Sequence, residues 1–172
     1  MAKVGLFYGS NTGNTEFVAE QVKEAFEKLR PGAIDIHNIG SSEPGALLKY
    51  EYMIVGVPTW NTGQMQDDWE AFLPKLAELD LTGKKIAMFG LGDQNGYGYN
   101  FLDALGMLAD AFMDRGAIMW GLWTTKGYQF EESKASVEDY FLGVGIDQEG
   151  QKDLTTERVN TWVAQVIDQF GV

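Results

Sequence analysis

The chain is predicted to form a doubly wound α/β fold, a five-stranded parallel sheet with helices on both faces. Three observations predict it. The strand-like runs Lys3–Gly9, Tyr52–Val57 and Lys85–Leu91 are nearly continuous in apolar residues rather than alternating, as strands covered on both faces are. Segments with apolar residues at helical spacing separate them. Unusual polar and aromatic residues gather directly after these runs, where such a sheet binds ligands, outside the carboxyl ends of its strands.

The elements follow in order. Lys3–Gly9 reads as a buried strand. Thr15–Leu29 reads as a helix, with Val18, Val22, Ala25, Phe26 and Leu29 on one face, and Pro31-Gly32 breaks it. Ala33–His37 is a short second strand. Glu43–Leu48 is a short helix before the apolar strand Tyr52–Val57. Asp67–Leu79 is helical although it contains Pro74, which lacks the N–H a helix interior uses. Lys85–Leu91 is the fourth strand, Asn100–Arg115 a helix stopped by Gly116, and Ala117–Trp123 the fifth strand. Thr155–Phe170 closes the chain as an amphipathic helix presenting Val159, Trp162, Val163, Val166, Ile167 and Phe170.

Composition narrows the function. A length of 172 residues suits one domain, 1–172, with a well-buried core. The absence of Cys excludes disulfides, Cys-ligated zinc, iron–sulfur clusters and thiol catalysis. The one His, His37, cannot build a multi-His metal site and is expected at a strand end, partly exposed. The first residues run straight into a strand pattern with no secretory signal, and no stretch approaches the ~20 apolar residues that span a bilayer. A soluble, monomeric protein of the cytoplasm or a stroma-like compartment is expected. The net charge of −12 repels nucleic acid and anionic membranes and favours basic protein surfaces. Plain solubility is the simpler account of that charge.

Three loops carry the chemistry. Ser10-Asn11-Thr12-Gly13-Asn14-Thr15 follows the first strand and leads into a helix. Amides at a helix N-terminus and the helix dipole favour an anion there. No Lys or Arg lies in the loop and the Gly-Lys-Ser/Thr ending of a nucleoside-triphosphate loop is absent, so the cradle suits one terminal phosphate monoester. The simpler reading is an N-capped helix after a turn. Pro58-Thr59-Trp60-Asn61-Thr62-Gly63 follows the third strand, and its Trp suits stacking on a flat ligand or folding back on the core. The third loop, from Gly92 to Asn100, offers Asp93, amides and the rings of Tyr97 and Tyr99. A phosphate cradle, aromatic platforms and polar backbone groups together match a planar heterocycle with one phosphate on a flexible arm, as in flavin mononucleotide (FMN).

These residues also carry a family resemblance. From end to end the chain resembles a long-chain flavodoxin, in the three loops above, in Gly127-Tyr128 with Glu132-Ser133-Lys134-Ala135, in Phe141-Leu142-Gly143 leading to Asp147, and in the closing helix with Arg158, Trp162 and Val163. Its general look is that of the cyanobacterial and algal type. The resemblance implies the flavodoxin-like strand order 2-1-3-4-5, with the last strand split by an insertion at about 122–140. It implies that Ser10, Asn11, Thr12, Gly13, Asn14 and Thr15 hold the FMN phosphate. Trp60 would cover the inner face of the isoalloxazine ring and Tyr97 the outer. Backbone groups of Pro58, Thr59, Trp60, Asn61, Thr62 and Gly63, and of Leu91, Gly92 and Asp93, would meet the ring's polar edge. Asn100 and Phe101 match positions beside the cofactor, and Asp147 an acid near the ring.

The implied function is a low-potential one-electron carrier, cycling mainly between semiquinone and hydroquinone. The carbonyl of Asn61 stands where the family's loop turns over to accept a hydrogen bond from the reduced ring. Gly63 eases that turn, and the β-branched Thr62 resists it. Burying the anionic hydroquinone between aromatic rings, in an acidic protein with no nearby cation, lowers the second potential. Asp67, Asp68, Glu70, Asp93, Asp103, Asp147 and Glu149 would form a negative rim that steers docking onto basic redox partners. The resemblance names ferredoxin–NADP reductase, photosystem I and nitrogenase-linked proteins as such partners. Three departures stand out. Tyr99 replaces an acid or Pro, Leu91 stands where Thr occurs, and Gly98 is expected to loosen the Tyr97 loop. A second reading, an FMN-dependent NAD(P)H:quinone reductase, lacks a substrate apparatus. A phosphorylated receiver domain would need acids where Ser10-Asn11 and Thr59-Trp60 stand.

Overall fold

The computed structural model describes residues 2–172. The sheet grows around β1 (Val4–Tyr8), with β2 (Ile34–Asn38) on one side and β3 (Tyr52–Trp60) on the other. All pairs are parallel, and Val4 stands opposite both Ile34 and Tyr52. Beyond β3 the chain makes β4 (Gln64–Met65), which turns back antiparallel on the end of β3. The next parallel strand is β5 (Lys85–Leu91), paired with β3 from Tyr52↔Lys85 to Pro58↔Leu91.

The fifth place in the sheet is shared by two short strands. β6 (Ile118–Trp120) lies beside Lys85–Ala87, and β10 (Val144–Ile146) lies beside Phe89–Leu91. Between them, β7 (Trp123–Thr124), β8 (Ser136–Val137) and β9 (Tyr140–Phe141) form a separate antiparallel sheet in the order β7-β9-β8. Counting β6 and β10 as one split strand, the order of the main strands is the expected 2-1-3-4-5. The expected fifth strand Ala117–Trp123 is shorter because Gly121, at φ +73°, turns the chain out of the sheet.

Helices α1 (Asn14–Leu29) and α4 (Thr155–Phe170) cover one face of the sheet. Leu6, Ile54 and Phe89 meet Val18, Val22, Phe26, Trp162 and Val166 there. Helices α2 (Asp67–Leu76) and α3 (Asp103–Met113) cover the other face, over Phe7, Met53, Val55, Val57, Ile86 and Met88. Alternate residues of each strand thus feed opposite layers. Each layer buries a Trp whose indole N–H finds a carbonyl, as a buried Trp requires. Trp69 Nε1 donates to Gly56 O at 2.9 Å and Trp162 Nε1 to Gly121 O at 2.8 Å. Gly56 is needed for closeness, because a Cβ there would collide with the Phe89 ring.

Two helix boundaries differ from expectation for local reasons, and α3 also ends at Met113 rather than Arg115. α2 stops at Leu76 rather than Leu79. Pro74 lacks only the bond to the Glu70 carbonyl, the helical bond Ala77 N to Leu73 O still forms past it, and the helix ends where the chain tightens into i→i−3 bonds, Glu78 N to Lys75 O and Leu79 N to Leu76 O. α3 starts at Asp103 rather than Asn100 because Leu102, just before it, sits at φ +60°. The segment expected as a helix at Glu43–Leu48 is a 3₁₀ stretch, Pro44–Lys49. His37 lies half-buried near the end of β2, with Nε2 2.8 Å from the Tyr50 hydroxyl. That hydroxyl donates to Asp35 at 2.8 Å. Burial and the Asp35 carboxylate push the Tyr50 pKa up to about 12. No helix among the described residues is long and apolar enough to cross a membrane.

Candidate functional site

The ends of β1, β3 and β5 and the loop after β10 converge on one cleft of about 480 Å³, within the size range of cofactor sites. Its walls are Asn11, Thr12, Asn14, Thr15, Pro58, Thr59, Trp60, Asn61, Leu91, Gly92, Asp93, Tyr97, Gln148 and Glu149. No Lys or Arg is among them.

At one end the loop after β1 is shaped by its own residues. Gly9 N–H donates to Gly56 O at 3.2 Å, the last bond between β1 and β3. The Ser10 hydroxyl oxygen accepts from Gly13 N–H at 3.1 Å. Gly13 takes φ +90°, a conformation that suits Gly, and starts α1. The first helical bond is Phe17 N–H to Gly13 O at 2.9 Å. The N–H groups of Asn14, Thr15 and Glu16 are therefore left without intrahelical partners. With the Thr12 and Thr15 side chains beside them, they make this end receptive to an anion. Ser10 and Gly13 build the loop but do not line the cleft.

Trp60 is the last residue of β3, paired with Gln64 of β4. The expected polar loop from Pro58 is therefore strand as far as Trp60. Pro58 is tolerated because β1 has already ended, so its missing N–H breaks no bond on that side. The tight turn that follows is closed by Gly63 N–H to Trp60 O at 3.1 Å, with Asn61 at φ +45° and Gly63 at φ +97°. Thr59 Oγ1 accepts from Ala104 N–H at 3.0 Å and so anchors the first turn of α3. Tyr97 forms the opposite wall, 41% exposed, its hydroxyl 3.4 Å from Asn61 Oδ1.

Several sequence-predicted residues lie behind the cleft rather than in it. Thr62 and Gly63 form the outer side of the turn, and the Gly63 backbone packs close to Asn100 and Asp103. Asn100 Nδ2 donates to Asp103 Oδ2 at 3.0 Å, away from the cleft. Phe101 is a core residue, packed at tilted and edge-on angles among Tyr128, Phe130 and Phe141. Asp147 is fully buried and holds loops together. Its Oδ2 accepts from Gln94 N–H at 3.2 Å and Gln94 Nε2 at 2.7 Å. Its Oδ1 accepts from Glu149 N–H at 3.1 Å and Gly150 N–H at 2.8 Å. Gln94 Oε1 in turn accepts from Gln129 N–H at 2.6 Å. Asp147 therefore fixes the walls that carry Asp93 and Glu149, and ties them to the segment between β7 and β8.

Asp103, also buried, accepts from Lys134 N–H at 2.8 Å. Asp103 and Asp147 are thus removed from the expected negative rim, whose other expected members, Asp67, Asp68, Glu70, Asp93 and Glu149, are exposed or half-buried. Gly98 does not loosen the Tyr97 loop. Its carbonyl accepts from Glu131 and Glu132 N–H, at 2.8 and 3.1 Å. Sequence reasoning missed Gln148 as a wall residue. Its signal was position alone, directly past a strand end in a doubly wound sheet.

The protein-family model described as Flavodoxin matches residues 6–162. The chain belongs to the flavodoxin family. It is 43% identical over 170 residues to a flavodoxin of a Nostoc species, covering 99% of this chain and 98% of that one. Over 171 residues it is 45% identical to a flavodoxin of Haemophilus influenzae, covering 99% and 97%. Among solved structures it resembles the Fusobacterium nucleatum flavodoxin bound to flavin mononucleotide. The TM-score is 0.90 at 27% identity, covering 98% of this chain and 99% of that one. The length of 172 residues fits the long-chain flavodoxins.

Proposed function

We propose that this chain is a one-electron carrier that holds FMN non-covalently in the cleft at the strand ends. One observation carries the reading: an anion-receptive loop and two aromatic side chains line the same 480 Å³ space. The FMN-bound relative from Fusobacterium nucleatum supports it. When bound, the flavin supplies the redox chemistry, accepting and giving up single electrons.

The chain's own residues bind and tune it. The free N–H groups at the start of α1, with Thr12 and Thr15, hold the phosphate. Trp60, fixed by the β3–β4 pairing, and Tyr97, held by the braced 92–100 loop, enclose the ring and exclude water from its faces. The 60–63 turn would offer a backbone carbonyl to the ring's polar edge, in a backbone conformation that Asn and Gly tolerate. Asp93 and Glu149 line the cleft with no cation among its walls. Adding negative charge there is unfavourable, which favours a low potential for the second electron.

No nucleophile or general base is required, and flavodoxins transfer electrons rather than turn over substrates. The rim of Asp67, Asp68, Glu70, Asp93 and Glu149 steers this carrier onto basic surfaces of redox partners. By kinship these are ferredoxin–NADP reductase, photosystem I or nitrogenase-linked proteins, met in the cytoplasm. The quinone-reductase reading is disfavoured because Trp60 and Tyr97, stacked on the ring, would cover the faces that a hydride donor needs. The binding test is titration of flavin-free protein with FMN, followed by flavin fluorescence. Saturable quenching at one FMN per chain is expected. Unchanged fluorescence at micromolar protein and flavin would overturn the reading.

A further inference from the structure

We propose that Gln66 is a positioning residue that selects phosphorylated flavin, by fixing which atom of the Asn11 amide faces the cleft. The inference deepens the FMN reading of that cleft and rests on it.

Gln66 is fully buried directly before α2, beneath the loop after β1. Gly9 makes the space, since a Cβ there would collide with Gln66 Oε1 and stand 2.8 Å from Trp69 Cδ1. One group that can only donate sets the order of donors and acceptors. Trp69 N–H can only donate, and it meets Gln66 Oε1 at 3.2 Å. The other end of the Gln66 amide is therefore Nε2. Both of its hydrogens are spent, on Asn11 Oδ1 at 2.7 Å and on Asp68 Oδ2 at 2.9 Å. Asn11 must therefore turn its oxygen inward. Its Nδ2 faces outward and reaches Asp67 Oδ2 at 3.3 Å. The second Nδ2 hydrogen has no protein acceptor among the described residues, and Asn11 lines the cleft.

A chain of hydrogen bonds thus begins at a backbone amide of α2 and ends by presenting an N–H, not a carbonyl, beside the free amides of α1. This matters because the loop lacks Lys and Arg, and Asp67 and Asp68 stand close by. With no cation present, each donor aimed at a phosphate counts, and a reversed Asn11 amide would aim an oxygen at an anion. A charge-assisted hydrogen bond is among the stronger kinds. The ring-binding walls, Trp60 and Tyr97, lie outside this network. Gln66 should therefore affect recognition of the phosphate and leave recognition of the ring alone.

The test compares FMN with riboflavin, which carries the same ring without phosphate. Flavin-free wild-type protein, Gln66→Met, Asn11→Ala and the double variant are titrated with each ligand. Gln66→Met is expected to weaken FMN about 10-fold, which is about 1.4 kcal/mol. Riboflavin affinity should change by less than ~2-fold, the scatter of an unaffected site. The double variant should bind FMN no more weakly than Asn11→Ala alone, because Gln66 acts through Asn11. Equal loss for FMN and riboflavin would overturn the inference and make Gln66 a support of the whole cleft. So would FMN binding unchanged in Gln66→Met. If Gln66→Met does not fold, the Asn11→Ala ratio decides: an unchanged FMN-to-riboflavin ratio overturns the inference. Failure of the wild-type protein to bind FMN would instead remove the FMN reading itself.

Discussion

Replacing Asp147 should damage stability and cofactor binding in separable ways. Its carboxylate accepts four N–H groups from two loops. In Asp147→Ala all four lose their acceptor. Glu149 and Gly150 are exposed and can turn to water, whereas Gln94 is buried, with only 4% of its surface exposed. The cost therefore comes mainly from the two N–H groups of Gln94. At ~1–3 kcal/mol for each buried donor left unmet, the loss is about 3 kcal/mol. Gln94 cannot rescue itself by flipping its amide, because its Oε1 is committed to Gln129 N–H. Asp147→Asn is milder. Its remaining oxygen serves Gln94, and its new NH₂ opposes the N–H groups of Glu149 and Gly150. Stability should fall only ~1 kcal/mol, while the wall carrying Gln148 and Glu149 opens. The assay is urea unfolding of the flavin-free protein by tryptophan fluorescence, paired with FMN titration. With a slope of ~2 kcal/mol/M, the alanine variant should lose ~1.5 M in midpoint and the asparagine variant ~0.5 M. Both should bind FMN more weakly than wild type. An asparagine variant with unaltered midpoint and FMN affinity would refute the assignment of Asp147 as the tie between these loops.

Three further outcomes follow from the same geometry. Gly56→Ala drives a methyl into the Phe89 ring; overpacking costs ~1–3 kcal/mol, so calorimetry should show a melting temperature lowered by several degrees. Tyr50 and Tyr128 are both pushed up to about 12, mainly by burial. The unfolded chain releases these protons near pH 10 and the folded one only near pH 12. Their stabilisation is thus whole below pH 10 and is lost as pH rises to 12. Tyr50→Phe should flatten the alkaline limb of an unfolding-versus-pH curve, and an unchanged limb would contradict the assignment. Trp60→Ala and Tyr97→Ala should each weaken FMN and riboflavin alike, by ~10-fold or more, since each removes ring contact rather than phosphate contact.

The sheet was legible because its strands are apolar throughout. Lys85–Leu91 stands in the structure with the bounds the sequence predicts. The end of β3 was not, because Pro58 and the polar residues after it look like a loop. Only pairing with Gln64-Met65 makes Thr59 and Trp60 strand. The split of the fifth strand was legible through the family resemblance and not through periodicity, because Gly121 leaving the sheet and Val144 rejoining it is a tertiary event. In the site, the residues with distinctive chemistry were readable: the hydroxyl-rich loop, Trp60 and Tyr97 all reach the cleft. The polar residues that arrange them were not. Gln66 and Gln94 look like ordinary loop residues, and their burial depends on contacts 55 and 53 positions away in sequence. Asp147 matches an acid near the ring in the family resemblance. Burial beneath four N–H groups gives it a structural task instead, and Phe101 went to the core as a large apolar ring generally does.

One-electron transfer by this protein is tested by anaerobic reductive titration of the FMN-loaded form, followed by its visible spectrum. Two separated one-electron stages are expected, with a broad long-wavelength absorption rising through the first and vanishing through the second. Bleaching in a single two-electron step, with no such band, would contradict it.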